Sequence, residues 1–158
     1  MYHQPDYSNL IDKSKYQVFL FKSRAIFPFI FAMHPWFVLN KKGEISRWEV
    51  EFASSYRKHG NHWGYLHENL CPIFQGTEVI TYTDDVFHPA TLLGKVEGGE
   101  VLKIIEFISK SPETYKNKDR YHIWGPNSNT YAQWVINNFP ECKFVLPKNA
   151  YGKNYKLK

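Results

Sequence analysis

Apolar residues recur along this chain with two periods, one of two and one of three-to-four, and the switches between them mark out strands and helices. Tyr16 to Phe21 alternates and is rich in β-formers, which predicts a first strand. Met33 to Leu39 and Ile45 to Phe52 are two further β-rich runs around Asn40-Lys41-Lys42-Gly43, the pattern of a hairpin. Pro35 lacks a backbone N–H, so the first of these runs should begin at an edge or a bulge. In the second, Trp48, Val50 and Phe52 share one face while Arg47, Glu49 and Glu51 point the other way. A polar loop from Ser54 to Trp63, a short helix over Tyr65 to Phe74 ending near Gly76, and a strand over Glu78 to Tyr82 are expected next. Val101, Ile104, Ile105 and Ile108 then lie on one face of a helix that stops at Ser111-Pro112. A last helix reads from Ser128 to about Asn138, with Tyr131, Trp134, Val135 and Phe139 on its apolar side, and Phe144 to Leu146 reads as a final strand. The pattern predicts an α+β domain whose mainly antiparallel sheet, with strands near 16–21, 34–39 and 45–52, packs on the 128–138 helix. Trp36, Trp48 and Trp134 should then be buried close together.

With 158 residues, 43% hydrophobic and 18% aromatic, the chain has ample material for one core. It reads as a single domain over 1–158, with loosely ordered ends at 1–12 and 156–158. The net charge of +5 comes from lysines that are scattered and thicken only at the ends, and no RNP, zinc-finger or helix-turn-helix signature accompanies it, so no nucleic-acid partner is expected. Cys71 and Cys142 lie in apolar surroundings outside any CxxC and read as reduced core residues. The apolar stretch Val18 to Met33 is too short, and too interrupted by Lys22 and Arg24, to cross a membrane. The polar first fifteen residues give no clear secretory signal, and the expectation is a soluble protein, cytoplasmic by default.

The candidate chemistry lies at the start of the last helix. Gly125-Pro126 ends what precedes it, Asn127 is a good N-cap, and Ser128 is thereby presented at a helix N-terminus. There, free N–H groups and the positive end of the helix dipole favour developing negative charge. His59, His62 and His67 have a ligand-like spacing, but no cysteine or carboxylate completes a familiar set, so no metal or cofactor is expected. There is no P-loop, GxSxG or GxGxxG sequence.

Trp124-Gly-Pro-Asn-Ser-Asn-Thr-Tyr131, followed by Ala132-Gln-Trp-Val135, Leu146-Pro147 and Ala150-Tyr-Gly-Lys-Asn-Tyr155, resembles a bacterial family catalogued as domain of unknown function 3750. That family's hallmark is a GPNSNTF stretch with an AIGKDY-like tail; here Tyr131 replaces the Phe, Tyr151 the Ile and Asn154 the Asp. His34-Pro35-Trp36 and Trp48-Glu49-Val50 resemble the family's His-x-Trp pair and its following Glu-Val strand. A histidine on an early strand and a nucleophile at a late helix N-terminus also resemble circularly permuted papain-like, NlpC-type domains, in which a Cys stands where Ser128 does. That likeness implies a permuted papain-like fold and two functional readings. In the first the domain is a hydrolase or acyltransferase for an amide or ester bond, acting on a peptide, acyl or ester substrate: Ser128 attacks, His34 is the general base, and Asn127, Asn129 and Trp36 contribute to binding. In the second it is an inactive papain-like domain used for binding or as a scaffold. A third residue should orient His34. Glu49 and Glu51 are near it across the hairpin, though alternation turns both away from the side expected to meet the helix, and His62 and Asn61 are further candidates.

Overall fold

The computed structural model describes residues 4–25, 29–52, 60–80 and 85–156. Its main body is a six-stranded antiparallel sheet in the order β4-β5-β3-β2-β1-β8, formed by β1 (Tyr16–Arg24), β2 (Met33–Lys41), β3 (Glu44–Val50), β4 (Asn61–Trp63), β5 (Leu66–Glu68) and β8 (Thr91–Glu97). A separate pair, β6 (Thr77–Ile80) with β7 (Asp85–His88), forms a small antiparallel ribbon. The helices are α1 (Val101–Ser109), the single turn α2 (Ser111–Thr114) and α3 (Ser128–Asn138). The chain is thus α+β, with its long hairpins and its last helix where the two periodicities put them. None of its helices among the described residues is long and apolar enough to cross a membrane.

The β2–β3 hairpin turns at Lys42-Gly43, both with positive φ (54° and 97°), the left-handed pair that a two-residue hairpin turn requires. Pairing of β2 with β3 begins at Phe37↔Trp48, so Pro35, two residues earlier, lies where β2 pairs only with β1 and its missing N–H breaks no ladder. Alternation gives the sheet two different faces. Val18, Leu20, Phe37, Leu39, Trp48 and Val50 pack under α1 and α3, with Ile104, Ile108, Tyr131 and Val135 opposite them. Phe19, Phe21, Trp36 and Val38 form a second, smaller core on the other side, covered by Tyr7, Leu10, Ile73 and Phe74.

Four expectations are corrected. Trp36 lies in the second core, across the sheet from Trp48 and Trp134, because Trp36 and Phe37 are consecutive and must face opposite ways. β3 ends at Val50, and Phe52 stands outside the helix-facing core, 64% exposed and stacked on Tyr65. Instead of a helix from Tyr65, Leu66–Glu68 is a strand hydrogen-bonded on both sides, to β3 and β4. Phe144 to Leu146 is not a strand, yet Phe144 and Leu146 are buried; the Phe144 ring lies on β8 where Gly94 leaves no Cβ in its way. β8 itself has no clear sequence signal, since Gly94 and Lys95 interrupt its apolar run. The expected loop from Ser54, up to His59, and the end of the Glu78–Tyr82 strand fall outside the described residues.

Phe37 is fully buried in the helix-facing core, whereas Phe52 is largely in solvent. Phe37→Ala should lower unfolding free energy in urea by about 3–5 kcal/mol. Phe52→Ala should change it by about 0.5 kcal/mol or less.

Candidate active site

The N-terminus of α3 is held by three side chains of its own first turn. Asn127 Oδ1 accepts from the backbone N–H of Asn129 (3.0 Å) and Thr130 (3.2 Å), and Thr130 Oγ1 accepts from the Asn127 N–H (3.1 Å), a reciprocal capping box. The Asn127 amide also donates to the carbonyls of Ile123 (2.8 Å) and Tyr151 (3.1 Å). Asn129 Nδ2 donates to Met33 O (3.1 Å) on β2 and to Tyr151 O (2.9 Å), and the Thr130 hydroxyl donates to Gly152 O (2.8 Å). The helix start, the first residue of β2 and the 150–152 turn are therefore one hydrogen-bonded knot. Within Asn127-Ser-Asn-Thr130, only Ser128 contributes no side chain to it. Ser128 instead lines a cavity of about 490 Å³, as does Tyr121.

His34 lines the same cavity. Its Nε2 lies 2.7 Å from Glu49 Oε2, and the same oxygen accepts from Arg47 Nη2 at 2.7 Å. His34 lies on the second-core face of the sheet, the face that Arg47 and Glu49 share by alternation on β3. Alternation thus unites Glu49 with His34. Trp36, two residues on, is the platform for both His34 and Arg47: the His34 ring stacks on it at 6.0 Å between centroids and the Arg47 guanidinium lies 4.1 Å over it. The other terminal nitrogen of Arg47, Nη1, donates to Pro72 O (2.9 Å) and Gln75 O (2.5 Å). Burial of Glu49 by itself would raise its pKa, but the charge of Arg47 and the hydrogen bond from His34 outweigh it and hold the carboxyl below its ordinary value.

The other candidates are placed as follows. Glu51 lines the cavity, and its carboxylate is grouped with His34 and Glu49, their nearest ligand atoms lying within 4.8 Å of one another. This trio could hold a divalent cation by its donor types. However, the Glu49 oxygen nearest His34 already carries two hydrogen bonds, and the Arg47 guanidinium beside it would repel a cation, so the arrangement is better suited to orienting an imidazole. His62 and Asn61 are exposed on β4, away from His34, with His62 beside His67. Trp36 is fully buried and does not line the cavity, whereas Asn127 and Asn129 do. Ser128 and His34 share a cavity, but among the described residues His34 is hydrogen-bonded to Glu49 and no hydrogen bond joins it to Ser128.

Two site residues lie outside those expected from sequence. Arg47 had a signal, its period-two spacing from Glu49, which places opposite charges on one strand face. Tyr121 had none, since it reaches the site from a loop. Burial, together with the nearby charge of Glu51, pushes its phenol up to about 12, the Ser128 hydroxyl acting the other way. It is therefore protonated, and a hydrogen-bond donor, throughout the neutral range.

The site thus defines an α+β domain with a histidine–carboxylate pair at the ends of two strands and a serine at a helix N-terminus, the histidine and the serine both on the wall of one cavity. The chain belongs to the protein family of unknown function DUF3750, whose model matches residues 15–155. No curated protein and no solved structure matches it.

Two measurements probe this geometry. Because the folded-state pKa of Glu49 lies below the ordinary 4.5, the stability it contributes is fully present above that pH and is lost as pH falls further. The melting-temperature gap between the native protein and Glu49→Gln should therefore be constant from pH 7 to about 5 and shrink below it. Gly152 has φ +91°, and a Cβ there would approach the Asn127 amide to 2.5 Å. Gly152→Ala should therefore destabilise by more than about 1 kcal/mol in chemical denaturation.

Proposed function

We propose that this domain is a serine hydrolase or acyltransferase acting on an amide or ester bond, with Ser128 as nucleophile, His34 as general base and Glu49 as the residue that orients it. The observation that carries this reading is that His34, which lines the cavity Ser128 also lines, is held 2.7 Å from the buried Glu49 carboxylate behind it. With Glu49 ionised, its carboxylate accepts, so His34 Nε2 carries the proton and Nδ1 keeps its lone pair. Ser128 Oγ bonds to the substrate carbonyl carbon as its proton passes to Nδ1; the leaving group departs with that proton, and water or an acceptor alcohol or amine then releases the acyl group. Serine stays a hydroxyl at neutral pH, so a neutral imidazole is what the step requires.

The donors for the oxyanion differ from a bare helix start. The N–H groups of Asn129 and Thr130 are occupied by Asn127, which leaves the Ser128 N–H and the Tyr121 phenol to face a developing negative charge. The order of histidine strand before nucleophile helix supports grouping the domain with permuted papain-like, NlpC-type folds, with Ser in the Cys position. A second reading, a papain-like domain that binds without turnover, is favoured by one observation: among the described residues His34 is hydrogen-bonded to Glu49 and no hydrogen bond joins it to Ser128.

A broad fluorophosphonate probe separates the two. Labelling should occur, map to Ser128, vanish in Ser128→Ala and slow by on the order of 10²-fold or more in His34→Ala. Ser128→Cys should react rapidly with iodoacetamide at neutral pH, since His34 and the helix N-terminus would lower the thiol's pKa. An unlabelled native protein, together with an inert thiol in the Ser128→Cys variant, would leave only the binding reading.

A further inference from the structure

The cavity that holds Ser128 is lined by both polar and apolar side chains. Its polar groups, among them His34, Glu51, Tyr121 and Asn129, come from the strand ends, the loop before α3 and the start of α3. Much of the lining is aromatic. In one group Phe29, Phe31, Tyr151 and Trp124 form a continuous run of edge contacts, with successive centroids 6.2, 5.7 and 5.6 Å apart. In a second group, Phe52 and Tyr121 of the lining touch at 5.7 Å and both contact Tyr65 outside it. Among the described residues, Phe52, Trp124, Phe31 and Ile123 are also among the most exposed large apolar side chains, at 64%, 68%, 52% and 47%. No Lys or Arg is among the described residues lining the cavity.

From this arrangement we propose that the site takes substrates with an apolar acyl chain, the carbonyl lying at Ser128 and the chain running out between the two aromatic groups. This rests on the hydrolase reading for its chemistry and on the cavity alone for its binding. Exposed aromatic side chains that converge on one mouth are unfavourable in water and are stabilised by an apolar occupant. A peptide is a poorer match, because its backbone polar groups would need partners along the walls. The Asn127 and Asn129 amide nitrogens are already bound to backbone carbonyls. A substrate with a charged phosphate or carboxylate beside the reacting bond is disfavoured as well: the lining offers no fixed cation and places Glu51 there.

The test uses the full chain in two forms, native and Ser128→Ala. Linear N-alkanoyl glycinamides from acetyl to dodecanoyl are titrated by competition with a fluorescent, uncharged fatty-amide analogue, and p-nitrophenyl esters of the same acyl groups are assayed for turnover. Affinity in both forms should rise with each added methylene by up to about fourfold until the cavity is filled. Trp124→Ser and Phe52→Ser, both at exposed positions, should flatten that dependence while circular dichroism and the melting temperature stay near native. Binding that is independent of chain length, or unchanged in both rim variants, overturns the acyl-chain site. Chain-dependent binding without any ester turnover keeps the site and removes the hydrolase, whereas turnover of acetyl and dodecanoyl esters at equal kcat/KM does the reverse. Vesicles of phosphatidylglycerol and phosphatidylcholine identify the source of the chain. Co-sedimentation lost in Trp124→Ser marks a bilayer, and chain-dependent binding without co-sedimentation marks a dissolved acyl compound.

Discussion

A carboxylate with no solvent exposure has to be neutralised, and the site depends on how Glu49 achieves this. Removing one partner of such a buried pair usually costs about 3–5 kcal/mol, because the remaining charge is left without water or counter-charge. Arg47 supplies the positive charge and is itself anchored to the carbonyls of Pro72 and Gln75 and laid over Trp36. His34 shares the same Glu49 oxygen and stacks on the same indole, so its ring is fixed in both direction and plane. The result is an imidazole held from behind by a network in the second core, with its other edge left for the cavity. His34, Trp36, Arg47 and Glu49 all lie on one side of the sheet, which is why four residues from two neighbouring strands suffice.

Ser128 is positioned by different physics. Its neighbours Asn127, Asn129 and Thr130 use their polar groups on backbone atoms of three separate segments, and none of these bonds needs a charge. A hydrogen bond from Asn129 to the carbonyl of Met33, the residue before His34, ties the two halves of the site together. A helix start and a strand start 96 residues apart are thereby registered through neutral amide geometry, which salt does not screen.

Much of this was legible in the sequence because the relevant signals are local. The Lys42-Gly43 turn, the α1 face of Val101, Ile104, Ile105 and Ile108, and the cap at Asn127 each follow from a few adjacent residues. What was not legible depends on segments far apart. Trp36 was expected beside Trp48 because both are aromatic residues in apolar runs, but which way a strand faces is decided by what covers each side. The second cover, built from Tyr7, Leu10, Ile73 and Phe74, has no periodic signature. The same gap hid the partner of His34, since alternation argues against Glu49 only if His34 faces the helix. Tyr121 and β8 were missed for related reasons, a loop residue brought in by the path of the chain and a strand whose glycine admits Phe144.

The carbonyls of Tyr151 and Gly152 that complete the knot come late in the chain, whereas the histidine strand comes early. During synthesis the β1–β2–β3 hairpins and their buried Glu49 pair can form while more than half of the described chain has yet to emerge. The helix start that carries Ser128 gains its last hydrogen-bond partners only when residue 152 leaves the ribosome. The order of translation therefore keeps the serine's surroundings incomplete until the rest of the sheet is in place, so a partly made chain holds an oriented imidazole with no organised helix start beside it.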